Sequence, residues 1–425
     1  MTSASHYRPR QAWSVAVLLA ALATINFLDK VVLGMVATPL MAEFGLSPAA
    51  FGMVAGSFFW LFSVSNVIGG LLADRLPTRW LLLGMAAIWS LLQWPLAASG
   101  SVVTLVVCRV VLGAAEGPSF PVSVHALFKW FPDDKRSLPI AIINQGAALG
   151  VILAGLLMPL VTHHWGWRVN FMVLGAIGVA WCVLWLRFGQ EGTLADRAAR
   201  ETAARVPYRT ILRQPAILLV FLLSFAAYWT LGLILTWLPS YLQTGLGYDS
   251  VSAGRIFALV VLFSAPVTIG VSWFSGRLLA RGTSTRVARV QIVNGCFVLS
   301  AALFLALATL SLTPLQKVVV FALASALPMC CFALVVPVVA TLVPSAQRAS
   351  IIAIMTALAS VAGAIAPPVT GRVLQAYGAA NARSYETAFL IGAALMVIAA
   401  LLAACYLHPD RQRHDTPATL TPESP

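Results

Sequence analysis

The sequence predicts an all-α protein that crosses a membrane twelve times, with its helices in two halves of six. Three observations predict this class: 60% of the 425 residues are apolar, only 10% are charged, and the mean hydropathy is +0.89. Soluble proteins have roughly 25% charged residues. The apolar runs are about 20 residues or longer, which is the length of a membrane-spanning helix and not of the shorter, alternating strands of a membrane β-barrel.

Apolar runs separated by charged residues or by Gly, Pro and Asn place the spans in order along the chain. The first six are predicted near residues 13–38, 49–72, 80–98, 101–127, 138–161 and 169–188. The last six are predicted near residues 215–241, 251–275, 288–310, 315–340, 350–375 and 385–407. The first run has no small-residue cleavage pattern after it, so it is interpreted as a retained span and not as a signal peptide.

The one long hydrophilic stretch inside the chain marks the boundary between the two halves. It covers residues 189–213 and contains several Arg, Glu and Asp side chains. The predicted organisation is therefore an N-terminal six-helix bundle, a cytoplasmic linker, a C-terminal six-helix bundle and a cytoplasmic tail, at residues 1–188, 189–213, 214–408 and 409–425.

Two loop sequences of the first half have counterparts in the second. The spacing from Pro132 to Arg136, after the fourth span, recurs at residues 344–348, after the tenth. Residues 70–76, after the second span, resemble residues 272–278, after the eighth. Parallel repeats of six helices are typical of alternating-access carriers, which hold their substrate site at the membrane midplane between the repeats.

The positive charges lie mostly on one side of the predicted spans. The 27 Lys and Arg residues outnumber the 14 Asp and Glu residues, and most of them fall near the termini and in the loops on the same side as the termini. The positive-inside rule therefore predicts that both termini are cytoplasmic. No basic cluster has the aromatic pattern that stacks on bases, so no nucleic-acid partner is predicted.

No motif of the chain indicates catalysis or a bound cofactor. The six cysteines lie in apolar spans without metal-ligand spacing, and they are interpreted as small core residues. The spans contain no nucleophile arrangement, metal set or nucleotide loop. The sequence therefore predicts no enzyme activity, no metal and no cofactor.

Two apolar spans contain charged side chains far from their ends. Arg109 and Glu116 lie two helical turns apart in the fourth span, which places them on one face, roughly 10 Å apart along the axis. Asp29 and Lys30 lie in the first span, which is the only other stretch whose pattern places charge so deep in an apolar segment. A charge at membrane depth costs several kcal/mol unless it is paired or faces water. We therefore predict that these two segments face each other across a substrate path; buried pairs with a purely structural role are the alternative.

The residues after the second span resemble the loop motif of the major facilitator superfamily between its second and third helices. Gly70, Asp74, Arg75 and Arg79 match the motif, while Pro77 stands where a further glycine is usual. The resemblance implies the major facilitator fold and gives the matching residues a role in holding one conformation, not in binding substrate. The alternative, positive-inside charge, explains the arginines but not Asp74.

Within that superfamily, four stretches of the first half resemble the anion:cation symporters, a family of organic-anion carriers. They are residues 26–30, 109–121, 128–146 and 165–171, with looser counterparts in the second half at residues 236–241 and 367–371. The resemblance implies that the partners are a small organic anion and protons.

The same resemblance assigns roles to the charged residues. It implies that Lys30 binds the substrate carboxylate, and that Asp29 and Glu116 take part in proton coupling. A cation at the midplane attracts an anion, whose own charge then offsets part of the cost of burying the cation. Arg109 is interpreted as a proton-coupling residue that becomes the partner of Glu116 when the carboxyl group loses its proton.

Departures from the family pattern indicate the kind of anion. Members that transport sugar acids commonly have Tyr where this chain has Phe27 and Phe62, and Asn where it has Thr356 and Ser360. Leaving buried hydroxyl groups unpaired costs about 1 to 3 kcal/mol each. A sparsely hydroxylated carboxylate, including an aromatic one, is therefore favoured over a sugar acid.

Other side chains within the spans complete the predicted substrate site. Trp237 and Tyr241 are expected to line an apolar wall with the two phenylalanines, although packing or an interfacial belt is the alternative for aromatic residues in membrane helices. The amides expected to donate to the substrate or to pair between helices are Asn66, Asn144 and Gln145.

The predicted function is proton-coupled uptake of a small organic anion by a monomer in the inner (plasma) membrane. Three alternatives remain open: a sugar-acid symporter, an anion exchanger or exporter, and a transceptor that binds the anion and signals without net flux. The transceptor would need a soluble output domain, and residues 189–213 and 408–425 are too short to form one.

Overall fold

The structure is a computed structural model that describes residues 8–73, 75–132, 135–192, 194, 206–344 and 347–412. Within these described ranges, twelve helices are long and apolar enough to cross a membrane, which confirms the predicted fold class. Numbered α1 to α12 in chain order, they are Pro9–Met35, Pro48–Gly70, Thr78–Ala97, Val102–Phe128, Ser137–Trp165, Trp167–Phe188, Pro215–Thr236, Ser250–Ala280, Arg286–Thr309, Pro314–Leu342, Ser350–Tyr377 and Ala382–Tyr406. The described residues contain no strand.

Shorter helical segments connect or interrupt these spans. The connecting segments are Ala37–Phe44, Tyr208–Leu212, Leu238–Ser240 and Pro409–Gln412, and single π-helical turns occur at Tyr241–Gly245 and Arg286–Gln291. Two spans consist of two pieces each, Pro48–Ser57 with Phe59–Ala73 and Val102–Glu116 with Ser119–Phe128. The second interruption contains Pro118, which has no backbone N–H to continue the helical ladder. Glu116 is therefore the last residue of the first piece of α4.

The chain forms two compact units. One contains the chain up to Asp196 together with Gly232–Leu262 and Gly363–Ala388, so α1 to α6 are joined there by one end each of α7, α8, α11 and α12. The other contains Arg197–Leu231, Phe263–Ala362 and Phe389–Pro425. In this second unit three phenylalanine rings pack with their centroids 5.2 to 5.9 Å apart: Phe304, Phe321 and Phe389.

Small residues let α1 and α5 approach closely within the first unit. A Cβ atom at Gly146 or Gly150 would overlap the backbone oxygen of Ala20 or Thr24. The Thr24 hydroxyl also donates to the Gly146 carbonyl oxygen at 2.9 Å. Close backbone approach through small residues, with hydrogen bonds across the interface, is a general way of packing helices in membranes.

Backbone contacts also join the two halves of the chain inside the first unit. A Cβ atom at Gly34, near the C-terminal end of α1, would overlap the carbonyl oxygen of Leu235 in α7. Gly52 in α2 meets Pro367 of α11 in the same way, and Gly155 in α5 meets Gly254 of α8. The helices of this unit are therefore closed against one another at the end where α1 finishes.

We expect Gly34→Val to open this contact. The Cβ atom would meet a backbone oxygen, which cannot rotate away as a side chain can, so α1 and α7 must separate. The measurement is hydrogen–deuterium exchange of residues 235–245, which should become faster. Gly84→Val is the matched control, because no atom lies within 4 Å of a Cβ atom at that glycine. Unchanged exchange in the Gly34 variant would contradict the expectation.

The corresponding loops of the two halves share hydrogen bonds as well as sequence. The Arg136 side chain donates through Nε to Phe131 O, and Arg348 donates through Nε to Val343 O, five residues earlier in both cases. Carboxylates also cap two equivalent helix starts. The backbone N–H groups of residues 78 and 79 donate to Glu191, and those of residues 285 and 286 donate to Asp410.

Glu191 joins three elements of the first unit. Its carboxylate accepts from Thr78 and Arg79 at the start of α3 and from Lys129 after α4, the last at 2.6 Å. Burial alone would raise the pKa of Glu191, but the hydrogen bonds from Lys129, Arg79 and Thr78 outweigh it and lower the pKa below its usual value. The ionised form is therefore the one that stabilises the fold.

We expect Glu191→Gln to destabilise the protein by about 1 to 2 kcal/mol at pH 7, because glutamine keeps one acceptor oxygen but loses the charge that strengthens the bonds from Lys129 and from the start of α3. A group whose pKa is lower in the folded state stabilises above its unfolded pKa of about 4.3, and this contribution disappears as the pH falls through the folded value. Thermal unfolding of the parent and the variant in detergent should therefore differ at pH 7 and converge in acid. Equal melting temperatures at pH 7 would contradict the assignment.

Candidate functional site

The charged residues of α1 and α4 lie together in the first unit, as the sequence predicts. Lys30 donates to Asn26 Oδ1, and Asn26 Nδ2 donates to Glu116 Oε2 at 2.8 Å. Asn26 and Glu116 are buried, with 2% and 0% of their surface exposed, whereas Lys30 is partly exposed. An amide therefore joins the predicted substrate-binding cation to a predicted proton-coupling carboxylate.

Arg109 and Asp29 complete the group, which we call the charged cluster: Asp29, Lys30, Arg109 and Glu116. Each cation interacts electrostatically with each carboxylate, but no direct ion pair joins them among the described residues. Arg109 Nε and Nη1, both oxygens of Asp29 and Glu116 Oε1 are buried without a hydrogen-bond partner. Two cations and two carboxylates make the ionised cluster formally neutral.

Close contact between α2 and α4 positions Glu116 and Arg109. A Cβ atom at Gly113 would overlap the carbonyl oxygen of Phe58, and one at Gly117 would overlap that of Phe62. The two glycines lie on either side of Glu116. The Arg109 guanidinium carbon then lies 4.6 Å from the centroid of the Phe58 ring, a cation–π contact.

Phenylalanine rings surround Lys30. Its Nζ lies 4.5 Å from the centroid of Phe27 and 5.2 Å from that of Phe62. Both rings were predicted as substrate contacts, and the structure brings both to the cation. The predicted Asn66 is buried one turn after Phe62 in α2. An anion at Lys30 would therefore be flanked by ring faces without hydroxyl groups.

The other predicted substrate-site residues are not joined to Lys30 by a described contact. Asn144 and Gln145 are exposed on α5. Thr356 and Ser360 belong to the second unit, where their hydroxyls donate to Ile352 O and Ala357 O of the same helix. Because both hydroxyl hydrogens are already donated within the helix, neither is available to donate to a hydroxyl group of a sugar acid.

Trp237 and Tyr241 are buried in the closed end of the first unit. The Trp237 indole donates to Pro367 O at 3.0 Å and packs edge-on against Phe51. The Tyr241 hydroxyl donates to Glu386 Oε1 at 2.9 Å. Both side chains are fully buried, so in this conformation they contribute packing between helices rather than an exposed wall.

The predicted conformational loop is described except for Asp74, which lies outside the described residues. Arg79 donates through Nη2 to Leu186 O, which joins α3 to α6. Gly70 lies at the end of α2, and Arg75 is exposed in the turn. The contacts of Arg79 fit a loop that ties helices together.

Three polar residues near or outside the cluster were missed as site residues. Asn26 belongs to the family-like stretch of residues 26–30, and its spacing of four from Lys30 was the available signal. Gln93, in α3, lies next to Asp29 and has an amide without a hydrogen bond of normal geometry. Glu386 is only 1% exposed although it lies near the start of its span, so a charged residue near a helix end is also buried within the protein. Its position, second in the predicted span, made it look like an end residue.

The chain matches the model of the Major Facilitator Superfamily over residues 19–315 and 282–423. It is similar to the hexuronate transporter of Bacillus subtilis, with 27% identity over 405 residues that cover 93% of this chain and 94% of that protein. It is 28% identical to the probable anion transporter 4, chloroplastic, of Oryza sativa subsp. japonica, over 73% of this chain. The chain spans little more than half of that plant protein, 55% of its length.

The fold also matches solved structures. A bacterial homologue of the human lysosomal transporter Spinster, in an inward-facing and occupied conformation, superposes with a TM-score of 0.79. The identity is 18%, and the superposition covers 96% of this chain and 98% of that one. At this identity the likeness shows the fold alone, whereas the family model, which matches most of the chain, shows the superfamily. This membrane protein, with twelve candidate spans among its described residues, belongs to the Major Facilitator Superfamily.

Proposed function

We propose that this transporter takes up a small organic anion together with a proton. The observation that supports this best is the charge balance of the cluster. With both carboxylates ionised the four groups are neutral, so a bound monoanion leaves one uncompensated negative charge in a buried site. Uptake of one proton by Glu116 or Asp29 restores neutrality, and buried charge is strongly disfavoured without such compensation.

The surroundings of Lys30 support the substrate class. The ring faces of Phe27 and Phe62 pack against the ammonium group, which would hold the carboxylate end of a ligand. Aromatic rings offer apolar contact but no hydroxyl partner. The favoured ligand is therefore an aromatic or sparsely hydroxylated carboxylate. The hexuronate transporter among the relatives keeps a sugar acid as the alternative.

The topology belongs to the same proposal. Lys and Arg residues concentrate in the loops on the side of the two termini, so both termini are placed in the cytoplasm of a plasma membrane. The closed end of the first unit, where α1 finishes, would then lie on the outer side of the membrane. We further propose that the protein works as a monomer, with Gly70, Asp74, Arg75 and Arg79 holding one conformation.

Transport into reconstituted vesicles tests the proposed coupling. An inward proton gradient should drive accumulation of a labelled carboxylate above its external concentration, and a protonophore should abolish it. Stimulation only by an opposing internal anion would instead indicate exchange, and outward accumulation would indicate export. Binding without flux in any of these conditions would indicate a transceptor.

Ligand-induced thermal shifts test the substrate class. The panel contains benzoate, succinate and glucuronate, each at increasing concentration. A ligand at 100 times its dissociation constant stabilises a protein by about 2.7 kcal/mol. Stabilisation by benzoate or succinate at lower concentration than glucuronate is expected. A shift with glucuronate alone would instead support the sugar-acid alternative.

A further inference from the structure

Asn26 lies between Lys30, which is proposed to bind the anion, and Glu116, which is proposed to bind the proton. Among the described residues it is the one side chain hydrogen-bonded to both a cation and a carboxylate of the charged cluster. An ammonium group can only donate and an ionised carboxylate can only accept, so the amide must present Oδ1 to Lys30 and Nδ2 to Glu116. Chemistry therefore fixes the orientation of the amide while Glu116 is ionised.

No other contact replaces this amide. Only 2% of the Asn26 surface is exposed, so bulk water does not compete with Lys30 and Glu116 for the hydrogen bonds of the amide. Glu116 Oε1 is buried without a hydrogen-bond partner, so Nδ2 of Asn26 makes the hydrogen bond of this carboxylate in the described part of the chain. A change in the charge of Glu116 therefore alters the strength of its hydrogen bond with the Asn26 amide.

The groups that face Glu116 are known from each element packed against it. Asp29 and Lys30 come from α1, and Arg109 comes from α4 itself. From α2, the atoms nearest to a Cβ atom at the adjacent Gly117 are the hydroxyl oxygen of Ser65, the carbonyl oxygen of Phe62 and the backbone nitrogen of Asn66, and none of these groups carries a charge. From α3, Gln93 lies next to Asp29 and is also uncharged.

We propose that Asn26 is a positioning residue through which the protonation of Glu116 makes Lys30 available to the substrate anion. This rests on the proposed function. While Glu116 is ionised, its charge-assisted bond polarises the amide and strengthens Oδ1 as an acceptor, so Lys30 is held by Asn26. Protonation weakens the bond at Nδ2, the polarisation is lost, and the ammonium group turns to the anion.

The coupling must act in both directions. An anion that draws Lys30 away from Oδ1 leaves the amide a poorer donor to an ionised Glu116, and so favours the protonated carboxyl group. Such reciprocity is required of any two linked binding equilibria. Proton and anion therefore bind more tightly together than apart.

Asn26→Leu tests this proposal, because leucine has a similar size but neither donates nor accepts. The dissociation constants of benzoate, succinate and glucuronate are measured from pH 5.5 to pH 8.0 with purified full-length protein. For the parent, the affinity of the tightest of these three probes should rise as the pH falls, by up to about tenfold per pH unit for one linked proton. In Asn26→Leu the slope should fall below about threefold per unit.

Two controls separate a positioning role from a structural one. Asn294→Leu removes a buried amide of α9 whose Nδ2 donates to Gln291 at 3.3 Å, and it should keep the parental slope. Asn26→Gln keeps both hydrogen-bonding ends and should restore part of the slope. Should Asn26→Leu not fold, Asn26→Ser, which can reach only one partner, should show the same loss.

The outcomes are distinct. A parental slope in Asn26→Leu and Asn26→Ser, with a clear slope in the parent, overturns the role of Asn26 and leaves the proposed function standing. No binding, or no pH dependence, in the parent overturns both. Loss of slope in the Asn26 variants alone supports the proposal.

Discussion

Lys30→Ala is expected to abolish binding of the anion. Lys30 is the cation of the cluster that remains partly exposed, whereas Arg109 is buried against the Phe58 ring. Lys30 and the bound anion would form a buried charge pair. Removing one partner of such a pair costs about 3 to 5 kcal/mol, which corresponds to more than a hundredfold loss of affinity. The measurement is the ligand-induced thermal shift with the probe that stabilises the parent most.

Matched variants define what the loss means. Lys30→Arg keeps the charge but changes the donor geometry, so binding should persist with an affinity within about tenfold of the parent. Lys317→Ala removes a lysine of α10 in the second unit and should leave the shift unchanged. A full thermal shift in Lys30→Ala would show that the anion binds elsewhere.

Glu116→Gln is expected to separate transport from its driving force. The glutamine can still accept from Asn26 Nδ2 through its carbonyl oxygen and is neutral like the protonated carboxyl group, so Lys30 should remain able to bind the anion. It cannot bind and release a proton. Anion exchange across the membrane should therefore stay within about threefold of the parent, while proton-driven accumulation should fall at least about tenfold, to the level without a gradient.

Two comparisons make this result specific. Asp249→Asn removes a carboxylate that caps α8 outside the membrane and should accumulate substrate as the parent does. Asp29→Asn tests the second carboxylate of the cluster. Should Glu116→Gln accumulate normally while Asp29→Asn does not, the proton carrier is Asp29 and the role given to Glu116 is wrong.

The number and placement of the spans could be predicted because hydropathy is a property of local sequence. Each predicted span lies within a few residues of a helix in the structure. The charged residues of α1 and α4 were equally visible, since a charge inside an apolar run has few explanations other than pairing or function. Neither conclusion requires knowing which helices are neighbours.

The partners within the cluster could not be predicted in the same way. The seven-residue spacing of Arg109 and Glu116 suggested that they would become partners, yet Glu116 is bonded to Asn26 of another helix. That contact depends on how α1 and α4 pack, and the packing depends on glycines at positions where another backbone passes closely. Letters distant in the chain do not reveal such approaches.

Trp237 and Glu386 illustrate the same limit at the closed end of the first unit. From the sequence alone, the burial and the contacts of an aromatic residue near a predicted site and of a carboxylate near a span end were ambiguous. In the structure Trp237 is fully buried and bonded to Pro367, and Glu386 accepts from Tyr241. The helix ends that meet there come from both halves of the chain, so only their assembly decides which side chains are buried.

By itself, the sequence determined that this protein is a twelve-span, all-α membrane protein with ionisable groups inside α1 and α4, because apolar length and charge depth are read one segment at a time. The tertiary structure alone decided that Asn26 stands between Lys30 and Glu116, that two phenylalanine rings flank Lys30, and that Trp237 and Tyr241 are buried. The physical reason is that hydrogen bonds and ring contacts act over a few ångströms, and only the packing of distant segments brings their atoms within that range.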